Sequence, residues 1–592
     1  PPARGEAPAR EDRRPALGQR PIRGEAPARE DRRPALGQRP IRGEAPAGSV
    51  SRARPGVKAP TRTERSPRED SRAPASRVPG EAKPSRPAAE AASAPTPTMP
   101  STTVSVKISA SSSAMPANRR RPRGATDRIA VRPGGRRRSL LFLHELRALM
   151  RVAGPIVVSQ LGGVAMSATD VIMVGPLGAH ALASAGLGNA IFISVMMLCT
   201  GTLIGMSPLV SQAFGGGDRQ ECRRVLVQGL WLAAILSIPL TLVCFFGLPI
   251  ARALGQPEDV ARLAGGYLFA IAWGVVPLLL FMAFRQYLDG MSFTRPAMVI
   301  TFLGVGINIV GNFLLIYGFQ VRVPLLGTLD VAPGGLVGAG WSTTICRWAM
   351  LIAMVVYVVR RRDLATFVGV RLAPVAVQLR RMAAIGAPIG GQLGAEVGVF
   401  AFAMVMMGWL NPVAQAAHQV TINIASTTFM VAQGTSLAGS IRVGQHVGAG
   451  SRRGVHRAVL TTYAVVVAFM AVCALAFLIL PRWLLGLYTG DPRIVEVGMG
   501  LMVMAAAFQV FDGAQVAGLC ALRGAGDTRV PMWITILGYW VIGAPVAYLL
   551  GFRAGWGGPG IWAGLVVSLG IVSILLAWRA RRVLWDRPLV RL

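Results

Sequence analysis

The chain is 592 residues long and carries a formal net charge of +34, yet 52% of its residues are apolar. Residues 1–140 hold 31 of the 62 Lys and Arg, 13 of the 28 acids and 22 of the 41 prolines. A single basic globular domain is excluded, and so is a nucleic-acid binder inferred from isoelectric point alone, because the basic excess has two separate causes.

The first cause is a low-complexity tail. The segment GEAPAREDRRPALGQRPIR begins at Gly5, recurs at Gly24 and starts a third time at Gly43, a period of 19 residues with no apolar face of helical or strand period. From Ser51 to Arg138 the composition stays rich in Pro, Ala, Ser and Arg. Such a segment buries too little apolar surface to offset its ordering entropy and is expected to be disordered. It lacks the apolar stretch of a signal peptide, and the sequence does not begin with Met. A translation start at Met99, Met115 or later is one reading of the tail; binding to anionic lipid or nucleic acid is another.

From Ala148 onward, apolar stretches recur that are long enough for the roughly 20 residues a spanning helix needs. Twelve are expected, at about 148–172, 187–212, 225–248, 263–286, 297–319, 336–358, 383–408, 417–440, 458–480, 496–521, 531–551 and 557–578. Pro155, Pro277, Pro388 and Pro545 are tolerable inside them because neighbouring helices satisfy freed backbone groups. With the N-terminus inside, the inner segments after residue 140 carry 24 Arg, the outer loops carry 6, and Arg347 lies within span six. This bias predicts both termini in the cytoplasm.

An internal duplication supplies the architecture. At a shift of 234 residues, Leu288, Gly290, Thr294, Arg295 and Gly304 meet Leu522, Gly524, Thr528, Arg529 and Gly538. At a shift of 233, Pro155, Gly201, Ser207, Gln212, Gly215 and Gly217 meet Pro388, Gly434, Ser440, Gln445, Gly448 and Gly450. Six spans per repeat is an even number, so both halves enter from the same side and are related by an axis along the membrane normal. The expected organisation is a tail at 1–140, an N-lobe at 141–370 with helices one to six, and a C-lobe at 371–592 with helices seven to twelve and a short cytoplasmic end. The fold class is an all-α polytopic membrane protein of two six-helix lobes.

Polar groups inside spans are costly in hydrocarbon and usually face a cavity. Three acids lie well within spans: Asp170, Glu396 and Asp512. At 1.5 Å per residue, Glu396 lies roughly 20 Å from the inner end of span seven and Asp512 roughly 24 Å from the outer end of span ten, both near mid-membrane. Gln160, Gly163, Ser167 and Asp170 share a face of span one, and Gln392 stands one turn from Glu396. In span eight, Gln419, Asn423, Ser426, Met430 and Gln433 form a stripe. Asn308 and Asn312 stack in span five, and Gln509 and Gln515 flank Asp512. The amides and hydroxyls suit interhelical hydrogen bonds as well as a cavity. The acids suit a bound cation or proton, or an ion pair with Arg347, the one base read inside the spans.

These residues resemble the multidrug and toxic compound extrusion (MATE) family, and more closely its NorM-like bacterial branch. The resemblance spans about residues 145–580. It rests on Thr169-Asp170-Val171-Ile172-Met173-Val174-Gly175, Glu396, Ala416-Ala417-His418-Gln419-Val420 and Ile441-Arg442-Val443-Gly444. Asp512 and the run Leu522-Arg523-Gly524-Ala525-Gly526-Asp527-Thr528 complete it. It implies a bacterial inner-membrane antiporter in which Asp170 takes part in proton coupling and Glu396 and Asp512 in cation binding. Asn308 is similar to the family's span-five asparagine. Phe508 stands where sodium-coupled members often carry a tyrosine, which removes an oxygen ligand and leaves Na+ and H+ both open as coupling ion.

The expected function is efflux of amphipathic, often cationic compounds by antiport with Na+ or H+, through alternating access between the lobes. The cavity residues would be Gln160, Asn308, Asn312, Gln392, Gln419, Asn423, Gln433, Phe508 and Gln515. Met196, Met197, Met404, Met406 and Met407 are candidates for a deformable wall or for ordinary packing. No cofactor, metal centre, nucleic acid or ATP-binding partner is expected; the partners are small-molecule drugs, organic cations and the bilayer, and the expected state is a monomer. The six cysteines show no CxxC pair, His418 reads as a packing or hydrogen-bonding residue, and there is no Walker-type motif. No enzyme chemistry is indicated. Two alternatives stay open: a lipid-linked saccharide flippase of the same superfamily, and a non-transporting membrane sensor.

Overall fold

A computed structural model describes residues 135–323, 327–361, 364, 370–586, 588 and 591–592. The chain falls into two compact units, 1–122 and 123–592, and every described residue lies in the second. The repeats of the expected tail lie outside the described residues.

Among the described residues, twelve long helical segments follow one another. They are α1 (Gly135–Val174), α2 (Ala179–Gly215), α3 (Arg219–Phe245), α4 (Glu258–Ala272 and Val275–Gly290), α5 (Arg295–Tyr317) and α6 (Gly335–Arg360). The second six are α7 (Ala376–Leu410), α8 (Pro412–Gly448), α9 (Arg452–Ile479), α10 (Pro492–Gly524), α11 (Arg529–Arg553) and α12 (Gly557–Asp586). Ten are long and apolar enough to cross a membrane, and α4, bent by 49° at its break, makes eleven. The remaining one, α8, carries the polar stripe that dilutes its apolar character. All twelve expected spans therefore fall on helices.

Local chemistry sets the breaks. Pro277 sits in the first turn after the bend of α4, where its missing N–H costs nothing. Asn411 joins α7 to α8, its side chain accepting from the Ala414 amide, with Pro412 opening the helix. Between α5 and α6 a two-stranded antiparallel hairpin, β1 (Phe319–Val323) with β2 (Gly327–Val331), interrupts the otherwise all-α fold. Its Val-rich alternation favours strand over helix.

Each half has its own main apolar core, the larger built mainly from α2 to α6 with Met382 and Ile385 of α7 and the other from α7 to α12, and a smaller cluster of α1 and α8 residues bridges the two halves. They meet along two related contacts. On one side, Gly205 of α2 lies against the Gly386 backbone of α7, and a methyl on Gly201 would collide with Gly390. On the other, Gly434 of α8 lies against Val157 of α1. The 233-residue shift that relates Gly201 to Gly434 also relates Val157 to Gly390, so the lobe boundary repeats itself about a pseudo-twofold axis. In lipid the hydrophobic effect does not drive helices together, so small residues that allow close backbone approach take over that role.

Candidate functional site

The helix faces that meet across this boundary also part from each other. Gln433 of α8 accepts nothing from lipid: its Oε1 receives the Gln160 Nε2 of α1 at 2.9 Å, and Gln160 Oε1 receives Arg285 of α4 at 3.0 Å. Towards the side where the chain ends, α2 and α8 are almost wholly buried, Ser207–Gln212 and Thr435–Ile441 being in the seam apart from Leu437. Towards the other side, the same face of α8 becomes exposed at Ser426, Asn423 and Gln419, and the same face of α1 at Gly163 and Ser167. The lobes thus form a cleft whose apex is the Gln160–Gln433 contact and whose walls carry the expected polar stripes. Gln419 also donates to Asn423 within α8, at 3.4 Å.

In the N-lobe, Asp170 is held from α5. Asn312 Nδ2 donates to its Oδ1 at 2.7 Å and lies 3.4 Å from Asn308 Oδ1, while both asparagines are fully buried. Ser342 of α6 donates to the Asn308 backbone carbonyl beside this network. Arg347, also on α6, stacks over the Phe192 ring at 5.0 Å and is within Coulombic reach of Asp170. It does not pair with Glu396 or Asp512.

In the C-lobe, Glu396 of α7 and Asp512 of α10 line one cavity of about 170 Å³. Ser426 lines the cavity and is exposed on the cleft face of α8, so the carboxylates communicate with the cleft. The apolar wall comes from Phe400, Phe429 and Phe508, and Phe508 packs edge-on against Phe400 and Trp562. Gln515 Nε2 reaches Glu396 Oε1 at 3.4 Å, and its Oε1 accepts from the Tyr539 hydroxyl at 2.8 Å. Gln509 donates to Thr428 of α8. Two carboxyl groups share this cavity, and Arg523, a base within Coulombic reach of Glu396, donates to Gln392 Oε1 at 3.0 Å. A carboxylate pair in such a place favours uptake of a proton or a cation. Among the described residues no three of His, Cys, Asp and Glu come together as a metal site.

The expected residues therefore fall into separate groups: Asp170 with Asn308 and Asn312, Glu396 with Asp512, Phe508 and Gln515, Gln160 with Gln433, and Gln392 with Arg523. The acids of the two lobes are not brought into one site. One expectation is corrected. Arg347 is not the only buried base, since Arg285 and Arg523 are each 8% exposed, Arg285 donating to Gln160 and Arg523 to Gln392. Of the two readings left open for the methionines, packing holds for Met406 and Met407, both fully buried in the C-lobe core. Tyr539 was not anticipated, although a hydroxyl inside an apolar span is visible by the test that singles out the acids. It lies in a π-helical stretch of α11, Leu537–Gly543, a geometry often found at functional positions. His418 behaves as expected, accepting from Trp562 Nε1 at 3.0 Å.

The MatE family model matches residues 155–314 and again 388–549, one match in each lobe. The chain is 34% identical over 459 residues to "Probable multidrug resistance protein NorM" of Mesorhizobium japonicum, covering 76% of this chain and 96% of that one. It is 34% identical over 448 residues to "Multidrug resistance protein MdtK" of Yersinia pseudotuberculosis, covering 74% and 96%. Among solved structures, one of a MATE P26A mutant superposes with a TM-score of 0.68 at 19% identity, covering 75% of this chain and 96% of that one. Two matches to one family model, related lobe to lobe, and relatives aligned over nearly their whole length place this multi-pass membrane protein in the MatE family of transporters.

Proposed function

We propose that the chain is a secondary active multidrug efflux transporter of the bacterial inner membrane, exporting amphipathic, often cationic compounds in exchange for Na+ or H+. The names of its relatives support the substrate class. The observation that carries the coupling step is the Glu396–Asp512 cavity opening at Ser426 onto the cleft. A carboxylate there is stabilised by a proton, a sodium ion or a cationic drug, so ion and drug compete for the same negative charge. Oxygens of Glu396, Asp512 and Ser426 are the groups that would hold Na+, a hard cation that prefers oxygen. Asp170 is the corresponding N-lobe group, with Asn312 holding its carboxylate in place.

The moving parts are the lobes at 141–370 and 371–592. The arginine bias puts both termini in the cytoplasm, so the buried ends of α2 and α8 form the inner seal and the cleft faces outward. If ion and drug favour opposite-facing arrangements, the inward ion gradient drives export. The test is ethidium efflux from drug-sensitive cells and from proteoliposomes with an imposed Na+ or proton gradient. Glu396→Gln and Asp512→Asn should keep expression and abolish efflux, and the gradient that supports wild-type efflux names the ion. Normal efflux in both variants would overturn the coupling role.

A further inference from the structure

A second cavity, about 890 Å³ in volume, lies away from the cleft, between the start of α5, the end of α6 and α1. Its lining has a division of chemistry that the efflux reading does not use. Four arginines border it, Arg151, Arg295, Arg360 and Arg361, and among the described residues no acid does. Among the described residues, Arg151, Arg295 and Arg360 have neither an ion-pair nor a hydrogen-bond partner, and all three are exposed. They come from three helices: Arg295 opens α5, Arg360 closes α6 and Arg151 projects from α1.

The opposite wall is apolar and faces outward. Val299 is 59% exposed and Val356 is 41% exposed, and from them the apolar surface continues along α5 through Phe302 and Leu303 and along α6 through Ile352. In a membrane those faces meet acyl chains, while helix ends rich in arginine sit at the headgroup level. The first-turn amides of α5 add partial positive charge to the arginine side. A cationic drug is repelled here. The repeat does not require this arrangement either: Arg295 has a counterpart in Arg529, but Arg151 corresponds to Ala384.

We propose that this groove is a binding site for an anionic phospholipid, its phosphate held by Arg151, Arg295 and Arg360 and its acyl chains laid against Val299 and Val356. Basic pockets between transmembrane helices at a membrane surface have the chemistry such headgroups need. The site also touches the lobe boundary. Ser292 lines the groove, and its hydroxyl accepts from Gln445 of the opposite lobe at 2.8 Å. At φ +65° it is the only non-glycine residue in the left-handed region among those described. A bound lipid therefore bears on a turn that the C-lobe holds in place.

The test is native mass spectrometry of the purified full chain, titrated with phosphatidylglycerol, with phosphatidylcholine of the same acyl chains, and with inorganic phosphate. Phosphatidylglycerol should bind as a discrete adduct and phosphatidylcholine more weakly. The triple variant R151Q/R295Q/R360Q should weaken the phosphatidylglycerol adduct on the order of 100-fold, at about fivefold per arginine, and leave phosphatidylcholine unchanged. Val299→Trp, which fills the groove at an exposed position and changes no charge, should also reduce the adduct, so a misfolded triple variant would not decide the matter. Equal binding of the two lipids, unaltered phosphatidylglycerol binding in Val299→Trp, or saturation by inorganic phosphate at the same concentration would overturn the proposal.

Discussion

Gln212 and Gln445 make the same hydrogen bond across the lobe boundary in opposite directions. Gln212 of α2 donates to the carbonyl of Gly524, the last residue of α10, at 3.0 Å; Gln445 of α8 donates to the carbonyl of Gly290, the last residue of α4, at 3.2 Å. Each glutamine satisfies a helix-end carbonyl that has no partner within its own helix. Leaving such a buried group unsatisfied costs about 1–3 kcal/mol. Gln212→Ala or Gln445→Ala should therefore favour the separated arrangement of this end by about tenfold. Ala438→Cys, introduced into the fully buried seam, reports the change as faster reaction with a membrane-permeant maleimide. An unchanged rate in both variants would show that these bonds do not hold the seam.

The same ends impose a steric requirement. A Cβ on Gly215 would clash with the Gln445 backbone, and one on Gly448 would clash with the Gln212 backbone, the two contacts again being related by the repeat. Backbone is in the way, so no side-chain rotation relieves the overlap. Gly215→Ala and Gly448→Ala should each lower ethidium efflux at least tenfold at equal membrane expression. Gly163→Ala, whose new methyl would meet nothing within 4 Å, should stay within twofold of wild type. Comparable efflux in all three would rule out close approach at this end as a condition of transport.

Among the described residues, charge reinforces the seam between α1 and α8. Arg442 of α8 holds Glu145 of α1 through bonds of 2.9 and 3.0 Å, with His446 at 3.4 Å from the same carboxylate. The Glu145 side chain is 4% exposed, so removing its partner strands a buried charge at a cost of about 3–5 kcal/mol. Arg442→Leu should be far more disruptive to the seam than the double variant Glu145→Leu/Arg442→Leu. Thermal melting of the purified single and double variants measures this, and equal Tm losses that simply add would argue against coupling between the two residues.

Much of this was legible from residue type and period. The twelve spans, the two-lobe repeat and the buried acids follow from apolar length and from the cost of charge in hydrocarbon. The grouping of the acids was not legible. A stripe on one helix says which residues share a face, but not that Asp170 turns to Asn312 inside the N-lobe while Glu396 and Asp512 meet across α7 and α10. Arg285 and Asp289, near the end of α4, are buried as an ion pair at 3.5 Å, which their place in the sequence does not reveal. Met406 and Met407 were ambiguous for the same reason: apolar character does not say which face of a helix meets a core, a cleft or lipid.

Tyr539 bears on how the C-lobe carboxylates are set. Its hydroxyl donates to Gln515 Oε1, which leaves the amide NH2 of that glutamine as the group facing Glu396. An amide side chain can turn over, and without the hydroxyl its carbonyl gains freedom to face the carboxylate instead. Phe508 offers no replacement oxygen from α10. Tyr539→Phe keeps the ring that packs against Phe400 and loses about 1 kcal/mol of hydrogen bonding, so folding and expression should be retained. The expected effect is a roughly fivefold change in the ion concentration that gives half-maximal efflux, with little change in the maximal rate at saturating ion. Gln515→Glu, which puts a third carboxylate beside Glu396 and Asp512, should shift the same concentration further. Efflux from proteoliposomes over a range of the coupling ion measures both. If Tyr539→Phe leaves the ion dependence unchanged while Glu396→Gln abolishes efflux, the hydroxyl does not orient the site, and Gln515 is held by packing alone.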